Sequence, residues 1–289
     1  MTAHVGGSTA ATEATTQTTA VALTIAGSDS SGGAGIQADI KTFSALGVYG
    51  ASVITALTAQ NTRGVQAVHA VPAGFVAAQM QSVQSDLDIG AIKTGMLADA
   101  GIVETVATAL RAASRRAPLI VDPVMVATSG DPLLTPDAVA AVRSLLAPLA
   151  TVITPNLAEA AVLLGRPPAR SEAEMREQAV ALLGLGCRAV LLKGGHSAGA
   201  EAVDVLADGA AVQRFASPRL DTPHTHGTGC TLSAAIAALM ALGNPLADAV
   251  RRAKDFVWQG LQSARALSVG HGRGPLDHLF AIRRSAPPV

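Results

Sequence analysis

Short, almost uniformly apolar runs alternate along the chain with longer segments in which apolar residues recur every three or four positions. The short runs are typical of buried strands, and the longer segments have the period of amphipathic helices. We predict strands at Val21–Ala26, Ser52–Leu57, Ala91–Lys93, Leu119–Val121, Val152–Thr154 and Ala189–Lys193. We predict helices at Gly35–Leu46, Pro72–Asp86, Ile102–Ser114, Pro136–Leu146 and Ser171–Leu183. This alternation predicts an α/β fold with a doubly wound, mostly parallel sheet that has helices on both faces.

One segment departs from the alternation. Val203–Leu206 and Ala211–Phe215 are separated by four residues that include Asp208-Gly209. Because Asp-Gly is a strong hairpin-turn signal, we expect an antiparallel hairpin at one edge of the sheet.

The ends of the chain differ from its middle. Residues 1–20 are rich in Thr, contain no Lys or Arg and lack the apolar stretch of a signal peptide, so we predict a disordered tail. No linker, repeat or composition shift divides residues 21–283, which predicts a single domain. Residues 284–289 contain two prolines and should fray.

Composition excludes several classes of partner. The 21 basic and 21 acidic residues cancel, so no net charge attracts a nucleic acid or an anionic membrane. The aromatic fraction of 2% leaves no stacking platform for bases, and the longest apolar run, Cys230–Gly243, is too short to cross a bilayer. We expect neither kind of partner.

Two cysteines are too few for a disulfide framework, which favours a cytoplasmic setting.

The segments that follow the predicted strands are unusually polar and rich in Gly. They are Ala26–Asp29, Thr58–Asn61, Lys93–Met96, Asp122–Val124, Thr154–Asn156 and Lys193–His196. Ligands bind outside the carboxyl ends of the strands in such a sheet, so six polar loops there indicate one cleft. For any single loop, a simple turn is the better explanation, and it weakens because six loops on one edge agree.

The strongest local signal is the segment His226-Gly227-Thr228-Gly229-Cys230-Thr231, which precedes an Ala-rich helical run, Ala234–Leu242. A Gly-rich turn that opens a helix directs backbone N–H groups and the positive end of the helix dipole at one spot, which suits a phosphate. The hydroxyls of Thr228 or Thr231 could add donors. We expect the helix dipole and any bound cation to lower the pKa of the Cys230 thiol, which would make it a base or nucleophile; inert packing is the alternative.

A second group of polar residues suits a nucleotide and a metal. Asn156 and Glu159 lie three apart at a helix start and, with Asp122, could orient Mg²⁺ through water. The same spacing also satisfies a helix capping box. Lys193 could neutralise a phosphate, or it could be a solvated lysine at the rim.

Three residues are candidates for the other substrate. The Gln60 amide offers a donor and an acceptor side by side, which matches an amino-substituted ring nitrogen. Asp39 could accept from a substrate hydroxyl or amine, or it could be an exposed helix residue. Met96 could line an apolar slot for a ring, or it could belong to the core.

Taken together, these segments resemble the hydroxymethylpyrimidine/phosphomethylpyrimidine kinases of thiamine biosynthesis, which have the ribokinase-like fold. The resemblance runs from about Ala22 to Gly270–Pro275, and its motifs are Ala26–Asp39, Thr55–Thr62, Lys93–Leu97, Asp122–Met125, Thr154–Glu159, Lys193–His196 and His226–Thr231.

The resemblance implies MgATP-dependent phosphorylation of 4-amino-5-hydroxymethyl-2-methylpyrimidine, then of its monophosphate, by a homodimer. It places Gln60, Asp39 and Met96 on the pyrimidine. It places Lys193 and Asn156 on the nucleotide, and Glu159 and Asp122 at the metal. Gly227, Thr228 and Gly229 become the catalytic anion hole, with Cys230 where sugar-kinase relatives carry an Asp base.

Three other functions remain possible on the sequence. A pyridoxal kinase shares the fold and the Gly227–Cys230 loop, although Gln60 favours the aminopyrimidine. A non-catalytic pyrimidine-binding protein is disfavoured by the intact loop. An NAD-binding oxidoreductase is disfavoured because the dinucleotide fingerprint is missing.

Overall fold

The computed structural model describes residues 19–113, 117–125, 134–195 and 199–285. Within these residues nine strands form one sheet in the order β3-β2-β1-β4-β5-β6-β7-β8-β9. The strands are β1 (Val21–Asp29), β2 (Tyr49–Asn61), β3 (Gly64–Ala70), β4 (Ile89–Thr94), β5 (Leu119–Val121), β6 (Val152–Ile153), β7 (Val190–Lys193), β8 (Glu201–Ala207) and β9 (Val212–Pro218). The neighbours from β2 to β7 are parallel, whereas β3, β8 and β9 pair antiparallel. The predicted mostly parallel sheet and its hairpin at one edge are confirmed.

Helices cover both faces of the sheet; the first six lie between its strands along the chain, and the last three follow β9. They are α1 (Gly35–Ala45), α2 (Ala73–Gln84), α3 (Ala100–Ala112), α4 (Pro136–Ala141), α5 (Leu157–Leu164), α6 (Glu172–Leu182), α7 (Thr228–Ala241), α8 (Leu246–Ala264) and α9 (Phe280–Ser285). A π-helical turn, Val142–Leu146, continues α4. All five predicted helices are present, and each begins within two residues of its expected start. The predicted end of one of them, Ser114, lies outside the described residues.

Each face of the sheet carries its own hydrophobic core. Leu23 and Ile25 of β1 pack into the core that α2, α3, α5 and α6 cover, whereas Ala22 packs into the core of α1, α7 and α8. Successive side chains of a strand point to opposite faces, so one continuous apolar strand serves both cores. Because β1 is apolar on both faces, it lies inside the sheet and not at an edge.

The Ala-rich run predicted as a helix becomes the inner part of α7. The alanines from Ala234 to Ala238 and their neighbour Leu239 are fully buried. Small side chains allow α7 to contact β1, β4, β5, α1 and α8 closely. The start of α7 is therefore fixed against the middle of the sheet.

Three elements, β3, α8 and α9, were not predicted. β3 is mostly exposed and lacks alternating apolar residues, so it makes a second antiparallel edge that no sequence pattern indicated. Helix α8 has buried apolar residues at helical spacing, such as Val250, Ala253 and Val257, so its signal was present in the sequence.

Most residues of the two predicted chain ends lie outside the part of the chain that the structure describes. Residues 1–18 of the predicted tail and residues 286–289 lie outside the described residues. Helix α9 continues to Ser285, two residues beyond the predicted end of the domain. The domain boundaries stay predictions.

Candidate functional site

The polar loops at the carboxyl ends of the strands converge, as predicted, around the first turn of α7. Bridges between backbones join Ser28 to Gly35, Asn156 to Lys193 and His226 to Pro275. The first bridge closes the loop after β1, the second joins the ends of β6 and β7, and the third joins the segment before α7 to the C-terminal part of the chain. A hydrogen bond between Asp29 and His226 connects that segment to the end of β1. The strand ends therefore form one edge of a cleft, and the N-terminus of α7 points into this cleft.

The turn before α7 depends on glycine at position 227. Gly227 caps the helix with φ of 77°, a left-handed conformation that favours glycine. A Cβ at this position would lie 1.8 Å from the carbonyl oxygen of Gly33. The Gly227 backbone is therefore pressed against the loop that follows β1.

The first turn of α7 supplies donors from its backbone. An α-helix leaves its first N–H groups without acceptors inside the helix, so the start of α7 at Thr228, Gly229 and Cys230 suits an anion. The expected hydroxyl donors are not available, because the Thr228 hydroxyl donates to the Thr225 carbonyl at 2.7 Å and the Thr231 hydroxyl lies 3.0 Å from His278 Nε2. The Thr228 N–H also donates to the Thr225 carbonyl, at 3.3 Å, so the donors left for an anion are the N–H groups of Gly229 and Cys230.

A buried ion pair lies beside this helix start. Lys193 Nζ donates to Asp122 Oδ1 at 2.8 Å, and a Cβ at Gly229 would lie 3.3 Å from the same Nζ. Lys193 is therefore not the solvated rim lysine that was the alternative; its side chain is 13% exposed. Ser233 of α7 donates to the other Asp122 oxygen at 3.0 Å, so this cation and carboxylate are held at the helix end.

The charges of this pair are mutually stabilised. Burial alone would raise the pKa of Asp122, but the ammonium groups of Lys193 and Lys93 outweigh burial and hold that pKa below its usual value. Asp122 therefore stays ionised at neutral pH.

Asn156 and Glu159 form the capping box that was the alternative interpretation. The Asn156 N–H donates to Glu159 Oε2 at 2.7 Å, and the Glu159 N–H donates to Asn156 Oδ1 at 2.9 Å. The pKa of Glu159 is raised to about 7, because burial and Asp122 disfavour its charge more than Lys193 favours it. The Met125 N–H also bonds to the Glu159 carboxylate, and capping leaves the Asn156 Nδ2 group for another partner. The two interpretations are therefore compatible.

Cys230 contradicts one expectation. The helix dipole was expected to lower the pKa of its thiol, but burial raises that pKa to about 11 even though Lys93 opposes the shift. Burial and the nearby carboxylates of Asp39 and Asp122 disfavour the thiolate more than Lys93 favours it. At pH 7 only roughly one thiol in ten thousand is ionised at such a pKa.

A second ion pair, between Asp39 and Lys93, lies under the same helix start. Lys93 Nζ donates to both oxygens of Asp39, at 2.8 and 3.0 Å, and the Thr24 hydroxyl donates to Asp39 at 2.6 Å. Both charged side chains are 0% exposed, so Asp39 is not the exposed helix residue that was the alternative. Burial lowers the pKa of Lys93, but Asp39 outweighs it and raises that pKa above its usual value.

Gln60 and Met96 lie at the other end of the cleft edge. Gln60 Oε1 accepts from the Thr58 hydroxyl at 3.1 Å, and its Nε2 lies 3.5 Å from His226 Nε2. A pocket of about 340 Å³ opens here and is lined by Gln60, His226, Arg63 and Arg273 among others. Met96 is 8% exposed, and a Cβ at Gly27 would lie 2.8 Å from its methyl carbon. Met96 therefore packs on the turn at Gly27.

Asp29 and His226 link the two ends of the cleft edge. Both residues belong to the motifs given above, but neither was expected to have a role. Asp29 accepts from the N–H groups of Ser31, Gly33 and Ala34, and its Oδ2 lies 2.8 Å from His226 Nε2. Burial would raise the pKa of Asp29, but its bonds to His226 and the loop lower it to about 2. The sequence gives only weak signals for this pair: Asp29 is a polar residue at a strand end, and His226 directly precedes a Gly-rich turn.

The donor set for a metal is sparse. No group of three or more His, Cys, Asp or Glu side chains that could hold a metal occurs in the described ranges. Two carboxylates, Asp122 and Glu159, flank Lys193, and the Asp122 oxygens already accept from Lys193 and Ser233. This set fits Mg²⁺, which keeps several waters and needs one or two carboxylates together with phosphate oxygens.

The chain is similar to several proteins of known activity. A family model described as Phosphomethylpyrimidine kinase matches residues 29–277. A hydroxymethylpyrimidine/phosphomethylpyrimidine kinase from Rhizobium meliloti (strain 1021) is 58% identical over 260 residues, which cover 90% of this chain and 97% of that protein.

Solved structures agree with this similarity. A phosphomethylpyrimidine kinase from Clostridium difficile 630 is 42% identical with a TM-score of 0.74, covering 83% of this chain and 98% of that one. An ADP complex of Bacillus subtilis pyridoxal kinase is 38% identical with a TM-score of 0.85, covering 92% of this chain and 99% of that one. Of the residues described here, no helix is both long and apolar enough to span a membrane.

Proposed function

The chain belongs to the phosphomethylpyrimidine kinase family, and we propose that it transfers the γ-phosphoryl group of ATP to 4-amino-5-hydroxymethyl-2-methylpyrimidine and then to the resulting monophosphate. The observation that carries this proposal is the start of α7, which separates a buried Lys193–Asp122 pair from the Gln60–His226 pocket. Phosphoryl transfer requires alignment and stabilisation of negative charge, and a helix N-terminus beside a lysine supplies both.

On the acceptor side, Gln60 binds the aminopyrimidine edge through its amide. Its Oε1 accepts one hydrogen bond from Thr58 and keeps a second lone pair for the ring amine, while its Nε2 can donate to a ring nitrogen. Met96 contacts the ring. Asp39 has no exposed surface, so it acts on the substrate side by holding Lys93.

On the nucleotide side, Lys193 neutralises phosphate charge next to the N–H groups of Gly229 and Cys230. Asn156 contributes the amide hydrogen atoms that its capping bond leaves unused. Asp122 and Glu159 would hold Mg²⁺ through water, and the ion would neutralise charge on the phosphates when bound.

Cys230 lies between the two substrates, as a protonated thiol at neutral pH. The first acceptor is an alcohol that must lose a proton during transfer, whereas the second is a phosphate that is already ionised. A base therefore matters more for the first step, and the raised pKa of Cys230 makes the thiolate strong but scarce.

The test is an ADP-release assay with the pyrimidine alcohol, its monophosphate and pyridoxal as separate acceptors, each with and without Mg²⁺. We expect ADP with both pyrimidines only when Mg²⁺ is present, and mass analysis should show a diphosphate. Accumulation of the monophosphate alone would contradict the two-step function. Pyridoxal is the second candidate because the pyridoxal kinase of B. subtilis shares the fold, and faster turnover of pyridoxal than of either pyrimidine would favour it.

The oligomeric state and the cellular location of the protein are also part of this proposal. We expect a homodimer in the cytoplasm with residues 21–283 as one kinase domain. Light scattering on the purified protein would measure its mass against the 28.9 kDa of one chain.

A further inference from the structure

The chain turns sharply directly after Lys193. In the antiparallel pair of β7 and β8, Lys193 lies opposite Asp204. The next N–H, of Gly194, donates to Asp204 Oδ1 at 3.0 Å. A Cβ at Gly194 would lie 2.3 Å from the Val203 carbonyl oxygen, so the turn packs tightly on β8. The path of the chain beyond Lys193 is thus set by Asp204.

Asp204 is itself held by a cation from a distant helix. Lys254 of α8 donates to Asp204 Oδ2 at 2.6 Å. The two residues are 8% and 5% exposed, and Lys254 neighbours the buried Ala253. Burying an ion pair costs desolvation free energy and often adds nothing to stability compared with apolar residues. What this pair does provide is a carboxylate with a fixed direction.

The far side of the same turn is held by a second cation. Arg219 donates to the carbonyls of Gly195 at 2.6 Å, Gly199 at 2.7 Å and Glu201 at 3.1 Å. The backbone that follows Lys193 is therefore bound from two directions by charged side chains outside the candidate site.

We infer that Lys254 and Asp204 are positioning residues for the nucleotide. They fix Gly194, and Gly194 fixes the strand end from which Lys193 reaches Asp122 and the first turn of α7. This inference rests on the proposed assignment of Lys193 to the nucleotide. Gln60 lies at the other end of the cleft edge, so loosening the turn at Gly194 changes nucleotide binding and leaves pyrimidine binding as it is.

The test compares variants by calorimetric titration with MgATP and by steady-state kinetics. Lys254→Met leaves the Asp204 carboxylate buried without its cation, so the turn loosens. We expect the Kd and KM for ATP to rise about tenfold, because small displacements of a positioned group have effects of that order or more. The KM for the pyrimidine should stay at its wild-type value, and Lys254→Arg should restore ATP binding.

A matched control comes from the same helix. Arg251 is exposed and pairs with Asp248 on the surface, so Arg251→Met removes a cation from α8 without reaching the turn. It should change neither the Kd for ATP nor the KM for the pyrimidine.

Folding is controlled by a double variant, Asp204→Ala with Lys254→Met. It leaves no unpaired buried charge and removes the acceptor of the Gly194 N–H, so it should fold and show the same selective loss of ATP binding. If either variant binds ATP like the wild type and only its melting temperature falls, the pair is merely structural and the inference is wrong. Absence of phosphoryl transfer by the wild type would instead contradict the proposed function.

Discussion

Replacing Gly227 by alanine tests the close contact between the turn before α7, which we propose binds an anion, and the loop after β1. The new methyl group would lie 1.8 Å from the Gly33 carbonyl oxygen and 2.9 Å from its carbon, so one of the two loops must move. Both neighbours are backbone atoms, which cannot rotate away as a side chain can. The substitution therefore separates the turn before α7 from the loop after β1.

The free-energy cost has two parts that the chain allows us to separate. A left-handed conformation costs an alanine about 1 to 2 kcal/mol, and overpacking a tight contact adds about 1 to 3 kcal/mol. Gly243, which follows α7, has φ of 84° and no heavy atom within 4 Å of an added Cβ. Gly243→Ala therefore measures the conformational part alone, and Gly227→Ala measures both.

The assay is urea unfolding followed by the fluorescence of Trp258, the single tryptophan. We expect Gly227→Ala to lower the free energy of unfolding by about 2 to 5 kcal/mol, against about 1 to 2 kcal/mol for Gly243→Ala. The kcat of folded Gly227→Ala should fall about a hundredfold or more for both acceptors, because the N–H donors are displaced.

Equal stability losses in the two variants, with kcat preserved in Gly227→Ala, would refute the reasoning. That result would mean that the Gly227 turn is not confined by Gly33 and does not set the geometry of the anion hole.

Three further predictions follow from the site. Gln60→Ala should raise the KM for the pyrimidine by the equivalent of about 1 to 3 kcal/mol and leave the KM for ATP nearly unchanged, since it removes a paired donor and acceptor from the ring edge. An unaltered pyrimidine KM would exclude this assignment. Cys230→Ala should lower kcat for the alcohol about a hundredfold and slow the monophosphate reaction less. In the wild type, the alcohol rate should keep rising above neutral pH, because the pKa of the thiol is about 11; equal fractional losses on both acceptors would remove Cys230 from the role of base. Glu159→Gln keeps a side-chain oxygen for the capping box but no longer titrates. The pKa of Glu159 is about 7 in the folded protein and 4.5 without perturbation, so between these values the folded state binds the extra proton. The unfolding free energy of the wild type should therefore fall relative to the variant as pH rises from 4.5 to 7, and parallel curves would contradict the raised pKa.

The charged residues at the start of α7 bear on how the protein handles phosphate. Lys93 pairs with Asp39 out of contact with water, and the mostly buried Lys193 pairs with Asp122, so each cation is held in place before any ligand arrives. Fixed charges need no reorganisation during the reaction, which is the condition for strong electrostatic stabilisation. The neutral thiol of Cys230 in the same place follows from the burial that strengthens those charges.

The sequence by itself determined most of the sheet, most of the helices that cover it and the position of the Gly-rich turn before α7. These features depend on local patterns: apolar runs such as Val21–Ala26, helical periodicity, and a Gly-rich turn before an Ala-rich helix. Strand ends of a parallel sheet share one edge, so the topology predicted that Gln60, Asp122 and Lys193 would lie along one cleft. Local patterns fail for β3, whose exposed residues lack alternation and whose place is set by pairing with β2.

Only the tertiary structure decided which polar residues pair and which charges survive burial. Asp29 and His226 are 197 positions apart, and Lys254 and Asp204 are 50 apart, so no spacing rule joins them. The Cys230 pKa was predicted with the wrong sign because the helix dipole can be inferred from sequence, whereas desolvation depends on everything packed around the thiol. Electrostatic free energies in a protein depend on distance and solvent exposure, and both are properties of the folded chain.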